Sequence, residues 1–257
     1  MVVKVVKLGL VGCGAIGGFL AKNIDKIDAN IVAVYDRNLN KAEELAKIAN
    51  AKVCKSLDEL INEDIDIVVE AASIYIVKEL CEKALKNGKD VIIMSVGALA
   101  DKDLYIYLYN LAKKYKNKIY IPSGAIGGLD IIKSLKFGKI KKIVIKTIKN
   151  PKSFGLNIKE RKILFEGSVF EAIKKFPANV NVSVTLSIAA KTPAKVYVIA
   201  DPNIDKNRHE IEIEGDIANI KLVVENVPFE DNPRTSKLAA YSLLRLIKDL
   251  SEPIVIL

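Results

Sequence analysis

Val5-Val6-Lys7-Leu8-Gly9-Leu10-Val11-Gly12-Cys13-Gly14-Ala15-Ile16-Gly17 decides how the chain is read. Val5–Val11 is apolar and short enough for a buried strand. It runs directly into a Gly-x-Gly-x-x-Gly pattern, and a helical pattern, Ile16–Ile27, follows. A second apolar run, Asn30–Tyr35, ends at Asp36, nineteen residues after Gly17. The glycine pattern alone is weak. With a strand before it, a helix after it and an acidic residue at that distance, it is the fingerprint of a dinucleotide site. Each position has a physical task. Gly12 makes the tight turn, Gly14 lets the backbone approach a pyrophosphate, and Gly17 lets helix and strand pack closely. Ala15 and Ile16 open the helix whose unpaired N–H groups favour the anion. Asp36 accepts hydrogen bonds from ribose hydroxyls and repels a 2′-phosphate, which favours NAD. Arg37 beside it can stack on adenine or pair with that phosphate, so NADP is expected to be tolerated. The competing reading is a glycine turn that binds nothing.

The alternation continues outward from this unit. Asp66–Ala71, Asp90–Met94 and Lys118–Ile121 read as further strands. Lys41–Asn50, Leu57–Glu63, Val77–Asn87 and Asp101–Tyr115 read as helices. This rhythm predicts a doubly wound parallel sheet, a Rossmann domain, over residues 1–121. Ala72 and Ser73 follow the third strand, and Ser95–Leu99 follow the fourth. Ligands of such sheets bind at these strand ends. The rhythm changes after Pro122. Lys142–Lys149, Lys195–Ala200, Arg208–Glu214 and Ile217–Glu225 look like strands of a mostly antiparallel sheet, giving an α+β catalytic and dimerisation domain over 122–232. Asn179–Ala190 admits a helix or a strand, and its β-branched residues favour strand. A final helix, Lys237–Leu250, shows apolar positions Leu238, Tyr241, Leu244 and Ile247. It is expected to return to the first domain, so that 233–257 completes it.

Composition narrows the function. The formal net charge is +9. Yet arginine is confined to Arg37, Arg161, Arg208, Arg234 and Arg245, and no aromatic stacking platform stands out, which argues against nucleic acid. The densest basic stretch, residues 133–152, carries lysines and no acid. It reads either as a solvated face or as a field that attracts an anionic substrate or cofactor. No apolar run approaches the roughly 18–20 residues of a membrane span. The apolar N-terminus reads as a first strand, and a cytoplasmic protein is expected. Three widely spaced cysteines, Cys13, Cys54 and Cys81, with a single histidine, speak against a disulfide framework or a metal site.

Two later segments carry candidate chemistry. Ser123-Gly124-Ala125-Ile126-Gly127-Gly128 places three glycines after the fifth strand, as a ligand-approach loop, a hinge, or both. His209 opens an alternating strand on the side of Ile211 and Ile213. It is either a structural histidine or the group that handles protons near neutral pH. As a catalytic group it is expected to face a wet cleft and to add little to packing. Arg234, Thr235 and Ser236, at the start of the last helix, can hold a carboxylate or simply cap the helix.

GLVGCGAIG, EAAS, MSVGALAD, PSGAIGGLD, FPANVNVSVTLSIA, NRHEIEIEG and NPRTSKLAAYSLL together resemble the L-aspartate dehydrogenase family over most of the chain. The resemblance implies a homodimer that oxidises L-aspartate with NAD or NADP to iminoaspartate, or after hydrolysis oxaloacetate and ammonia, in support of NAD biosynthesis. It implies that His209 is the active-site histidine and that Ala125 and Asn179 contact the dinucleotide. The residues by themselves leave open a homoserine-dehydrogenase-like or dihydrodipicolinate-reductase-like enzyme, and a non-catalytic sensor of NAD(H).

Overall fold

A computed structural model describes residues 5–177 and 179–256; residues 1–4, Ala178 and Leu257, which the sequence reading assigned to the two domains, lie outside the described residues. The chain divides into two compact units. One holds the residues through Pro122 together with those from Ala240 onward, and the other is Ser123–Ala239.

In the first unit β1 (Val6–Val11), α1 (Ala15–Lys22), β2 (Ala29–Tyr35), α2 (Leu39–Ala49), β3 (Lys52–Val53), α3 (Leu57–Ile61), β4 (Ile67–Glu70), α4 (Val77–Lys86), β5 (Asp90–Ile93), α5 (Lys102–Tyr115) and β6 (Ile119–Tyr120) follow one another. The strands form one sheet in the order β3-β2-β1-β4-β5-β6, and every pairing is parallel. A parallel sheet is covered on both faces, so its strands are apolar without alternation; all four residues of β4 are buried. The order reverses between β2 and β4, on either side of β1. That switch point is where the carboxyl ends of the strands leave a crevice. Strand β3 is too short to stand out in the sequence.

The second unit holds α6 (Leu129–Leu135), β7 (Ile140–Lys149), β8 (Lys162–Ser168), α7 (Val169–Lys175), α8 (Asn181–Ala190), β9 (Lys195–Ala200), β10 (Asn207–Gly215) and β11 (Asn219–Asn226). The sheet order is β11-β10-β7-β9-β8. Only β7 and β9 run parallel; the other pairings are antiparallel. One preference read from the sequence is corrected here, since 181–190 is a helix. Val182 through Leu186 are all buried, so the segment lacks the amphipathic period that marks a surface helix. Two of its three hydroxyls are satisfied within the helix, Thr185 Oγ1 donating to the Asn181 carbonyl at 3.2 Å and Ser187 Oγ to the Ser183 carbonyl at 2.8 Å, while Ser183 Oγ is buried without a partner among the described residues. Helix α7 was legible but unread: Ser168 and Glu171 form a reciprocal capping box, the Ser-x-x-Glu pattern of a helix start.

The last helix, α9 (Lys237–Asp249), is also corrected in its facing. Ala240, Leu243, Leu244 and Ile247 are buried, while Leu238 and Tyr241 are 39% and 52% exposed. The buried stripe is therefore turned by about one position from the one read in the sequence. Tyr241 still meets the ring of Phe19 on α1 edge-on, with centroids 4.7 Å apart. Leu243→Ala should cost about 2–5 kcal/mol by emptying a buried site, and Leu238→Ala well under 1 kcal/mol. Urea denaturation of the two variants checks the assignment; equal losses would contradict it.

Candidate active site

The glycine loop shows three distinct constraints. Gly12 has φ +100, and a Cβ there would lie 2.5 Å from the Ala71 carbonyl oxygen; only glycine lets the loop pass the end of β4. A Cβ on Gly17 would collide with the Gly12 carbonyl, so α1 could not start where it does. At Gly14 a Cβ would meet nothing within 4 Å. That glycine borders open space at the helix N-terminus, where backbone can approach a bound phosphate.

Asp36 closes the loop from the other side. Its Oδ2 accepts the Cys13 N–H at 2.7 Å and its Oδ1 accepts the Asn38 N–H at 2.8 Å. Each oxygen keeps a lone pair for a ribose hydroxyl. Glu70, at the end of β4, does the same work on the other side of β1. Its Oε1 accepts the Ala72 N–H at 2.8 Å and Ser95 Oγ at 2.9 Å, and its Oε2 accepts the Ser95 N–H at 2.8 Å. Burial raises the Glu70 pKa, and these donors oppose the rise. Glu70 was missed in the sequence; it fixes the loops after β4 and β5.

Gly12, Gly14, Asp36, Arg37, Ala72 and Ser73 thus line one groove, together with Lys41 and Ile76. Ala15, Ile16 and Gly17 form the first turn of α1 beside it. A dinucleotide fits these residues: an open glycine at a helix N-terminus for the pyrophosphate, and an acidic pair of acceptors for a ribose. Among the described residues no group of three or more His, Cys, Asp and Glu is gathered for a metal, and no helix is long and apolar enough to cross a membrane.

The other sequence candidates lie in the second unit, His209 on its sheet and Ala125 and Asn179 in the loops before α6 and α8. His209 on β10 faces Thr147 on β7 and Val224 on β11. Its position is a correction to the expected wet cleft, because the side chain is 2% exposed. His209 Nδ1 and Thr147 Oγ1 are 3.1 Å apart, and Nε2 has no partner among the described residues. Burial, with the charge of Lys149, pushes the imidazole pKa down to about 3, so the ring is neutral. The buried face is apolar along Ile211 and Ile213 and turns polar at this end, through His209, Thr147, Asn207, Asn226 and Lys149. Asn226 Nδ2 donates to the Ala125 carbonyl at 3.0 Å, which pins the glycine-rich loop. Asn179 Oδ1 accepts from Lys149 Nζ at 3.1 Å. Lys149 thus bonds Asn179 and acts on His209 through its charge alone, while Ala125 is held by the neighbouring strand.

Lys149 was not singled out in the sequence, being one lysine among many in its stretch. The 234–236 segment is tied into the same cluster. Ser236 Oγ accepts from Asn207 Nδ2 at 3.2 Å, and the Arg234 carbonyl accepts from Lys149 Nζ at 2.6 Å.

Comparison with known proteins agrees with this layout. The C-terminal domain model of aspartate dehydrogenase matches residues 130–250. The NAD-binding domain model of homoserine dehydrogenase matches residues 12–122. L-aspartate dehydrogenase of Methanocaldococcus jannaschii is 56% identical over 96% of this chain and 98% of its own length. The enzyme of that name from Methanothermobacter thermautotrophicus is 41% identical over 96% of each. The crystal structure of aspartate dehydrogenase from Thermotoga maritima superposes with a TM-score of 0.81 at 33% identity, over 98% of this chain and 99% of that one. An inositol dehydrogenase of Lactobacillus casei, at 16% identity and a TM-score of 0.63, shares the fold alone. With relatives this similar along nearly its whole length, the chain belongs to the L-aspartate dehydrogenase family.

Proposed function

We propose that this chain oxidises L-aspartate with NAD(P), giving iminoaspartate that hydrolyses to oxaloacetate and ammonia. The observation that carries the reading is His209, a neutral imidazole at the polar end of a buried sheet face, in a chain whose other unit matches an NAD-binding domain. The bound nicotinamide would supply the hydride acceptor. The chain's own residues supply binding and proton handling. Gly14 and the start of α1 hold the pyrophosphate, and Asp36 the ribose. Ala125 and Asn179 are proposed as further dinucleotide contacts from the second unit. His209 takes a proton from the amine, or from the water that attacks the imine, at Nε2. That role requires Nδ1–H to donate to Thr147 Oγ1, which fixes the tautomer.

Asp36 supports NAD as the preferred cofactor, with Arg37 allowing NADP. A homodimer, a cytoplasmic location and a contribution to NAD biosynthesis are part of the same proposal and follow from the family.

Three outcomes test it. NADH should form, seen by its absorbance, when purified protein and NAD meet L-aspartate at alkaline pH, where the amine is neutral; turnover of homoserine but not aspartate would refute the substrate. Asp36→Ser should weaken NADH binding about 10–100-fold, through lost charged hydrogen bonds and a freed loop. NADPH should lose less. Equal losses for both would remove the 2′ discrimination from Asp36.

His209→Gln should lower kcat by about 10²–10⁴-fold with NADH affinity retained; near-normal turnover would refute the assignment. Stability should respond as well, because the ring is buried. The folded pKa, about 3, lies below the ordinary 6.5, so the unfolded chain takes up the proton first. Stability is therefore lost as pH falls below about 6.5. Between pH 7 and 5, urea denaturation should show the wild type losing about 2 kcal/mol more than His209→Gln. Parallel losses would mean that the imidazole is not held neutral.

A further inference from the structure

The lysine-rich stretch 133–152 separates into two kinds of residue. Lys142 pairs with Glu214 at 2.9 Å, and Lys146 with Glu210 at 3.6 Å, both across the β7–β10 ladder. These are solvated cross-strand ion pairs and account for their own presence. Lys149 is different. It is 4% exposed, and its ammonium donates to two neutral oxygens, Asn179 Oδ1 at 3.1 Å and the Arg234 carbonyl at 2.6 Å. No carboxylate pairs with it among the described residues, and the neighbouring charge that acts on it is the like charge of Arg234.

An ammonium has three donors, so one N–H is left over. A buried cation without a counter-ion is costly, and an apolar side chain of similar volume would serve the fold at least as well. A function that needs an anion at this point removes the anomaly. We propose that Lys149 is the receptor for a carboxylate of the substrate, an inference that rests on the amino-acid dehydrogenase reading and gives it a binding residue.

The strand geometry suits a short diacid. Lys149 lies two residues beyond Thr147 on the same face of β7, and Thr147 holds His209. That is about 6.6 Å along the strand. A four-carbon dicarboxylate with one end on Lys149 would bring its reacting carbon toward the imidazole. The arrangement also orients Asn179: with Oδ1 taken by Lys149, its amide N–H groups are turned away from the lysine and are available to a second ligand. Finally, an anion on Lys149 would cancel the positive charge that acts on His209. Substrate binding would thereby raise the basicity of the group proposed to accept its proton.

The test uses the full chain with NADH bound and succinate, an unreactive four-carbon diacid, as probe, read by calorimetry. Lys149→Met should weaken succinate about 10–100-fold, the worth of a charge-assisted hydrogen bond. It should raise the KM for L-aspartate similarly, with a smaller loss of NADH affinity, because Asn179 Oδ1 loses its orienting partner. Lys149→Arg, which keeps the charge, should recover part of the loss. Unchanged succinate affinity in folded Lys149→Met, or no succinate binding by the wild type, would overturn the proposal. If the methionine variant does not fold, wild-type crystals soaked in succinate decide. A carboxylate oxygen within hydrogen-bond distance of Lys149 Nζ supports the receptor, and succinate with both carboxylates elsewhere refutes it. Wild-type turnover of L-aspartate, assayed separately, reports on the activity itself. An active wild type with an indifferent Lys149→Met fails the receptor alone; an inert wild type whose succinate affinity depends on Lys149 fails the activity alone.

Discussion

Where a parallel strand ends, the first N–H groups of the loop that follows have lost their ladder partners, and a buried donor left unpaired is costly. This chain meets that constraint with carboxylates. Asp36 gathers the N–H groups of Cys13 and Asn38, and Glu70 gathers those of Ala72 and Ser95 with the Ser95 hydroxyl. The loops are thereby held at the switch point of the sheet, and the groove they frame is set before any ligand arrives. Such preorganisation lowers the ordering cost of binding. Asp36 has a double task, since the same oxygens that tie the glycine loop are those expected to meet a ribose.

The second unit meets a different constraint. Its sheet is apolar along most of its buried face and polar at one end, where His209, Thr147, Asn207, Asn226 and Lys149 come together. Low dielectric makes each charge there count for more than it would at the surface. The imidazole responds by staying neutral, with its pKa pushed down to about 3. The lysine responds with a pKa lowered to about 8. A neutral base next to an uncompensated cation is poorly suited to stabilising a fold and well suited to an anionic substrate that loses a proton.

The two units were unequally legible in the sequence. The parallel sheet could be read from Val5 to Ile121 because buried strands and amphipathic helices differ in period, and because Gly12, Gly14, Gly17 and Asp36 stand at fixed distances. Helix α8 was obscured because burial on all sides erased its period, leaving only β-branched residues to weigh. His209 stood out by being the only histidine, although its burial did not. Lys149 and Glu70 could not be found from composition. One was hidden among lysines that pair with Glu210, Glu212 and Glu214, and the other closes an ordinary apolar strand. Their meaning lies in long-range partners, which only the fold brings together.

The account stands on a transfer of hydrogen from the α-carbon of aspartate to the cofactor in the groove. Incubation with L-[2-²H]aspartate and NAD, followed by mass spectrometry of the reduced cofactor, tests that transfer directly. The account predicts NADH carrying one deuterium per molecule formed. Unlabelled NADH, or none, would contradict it.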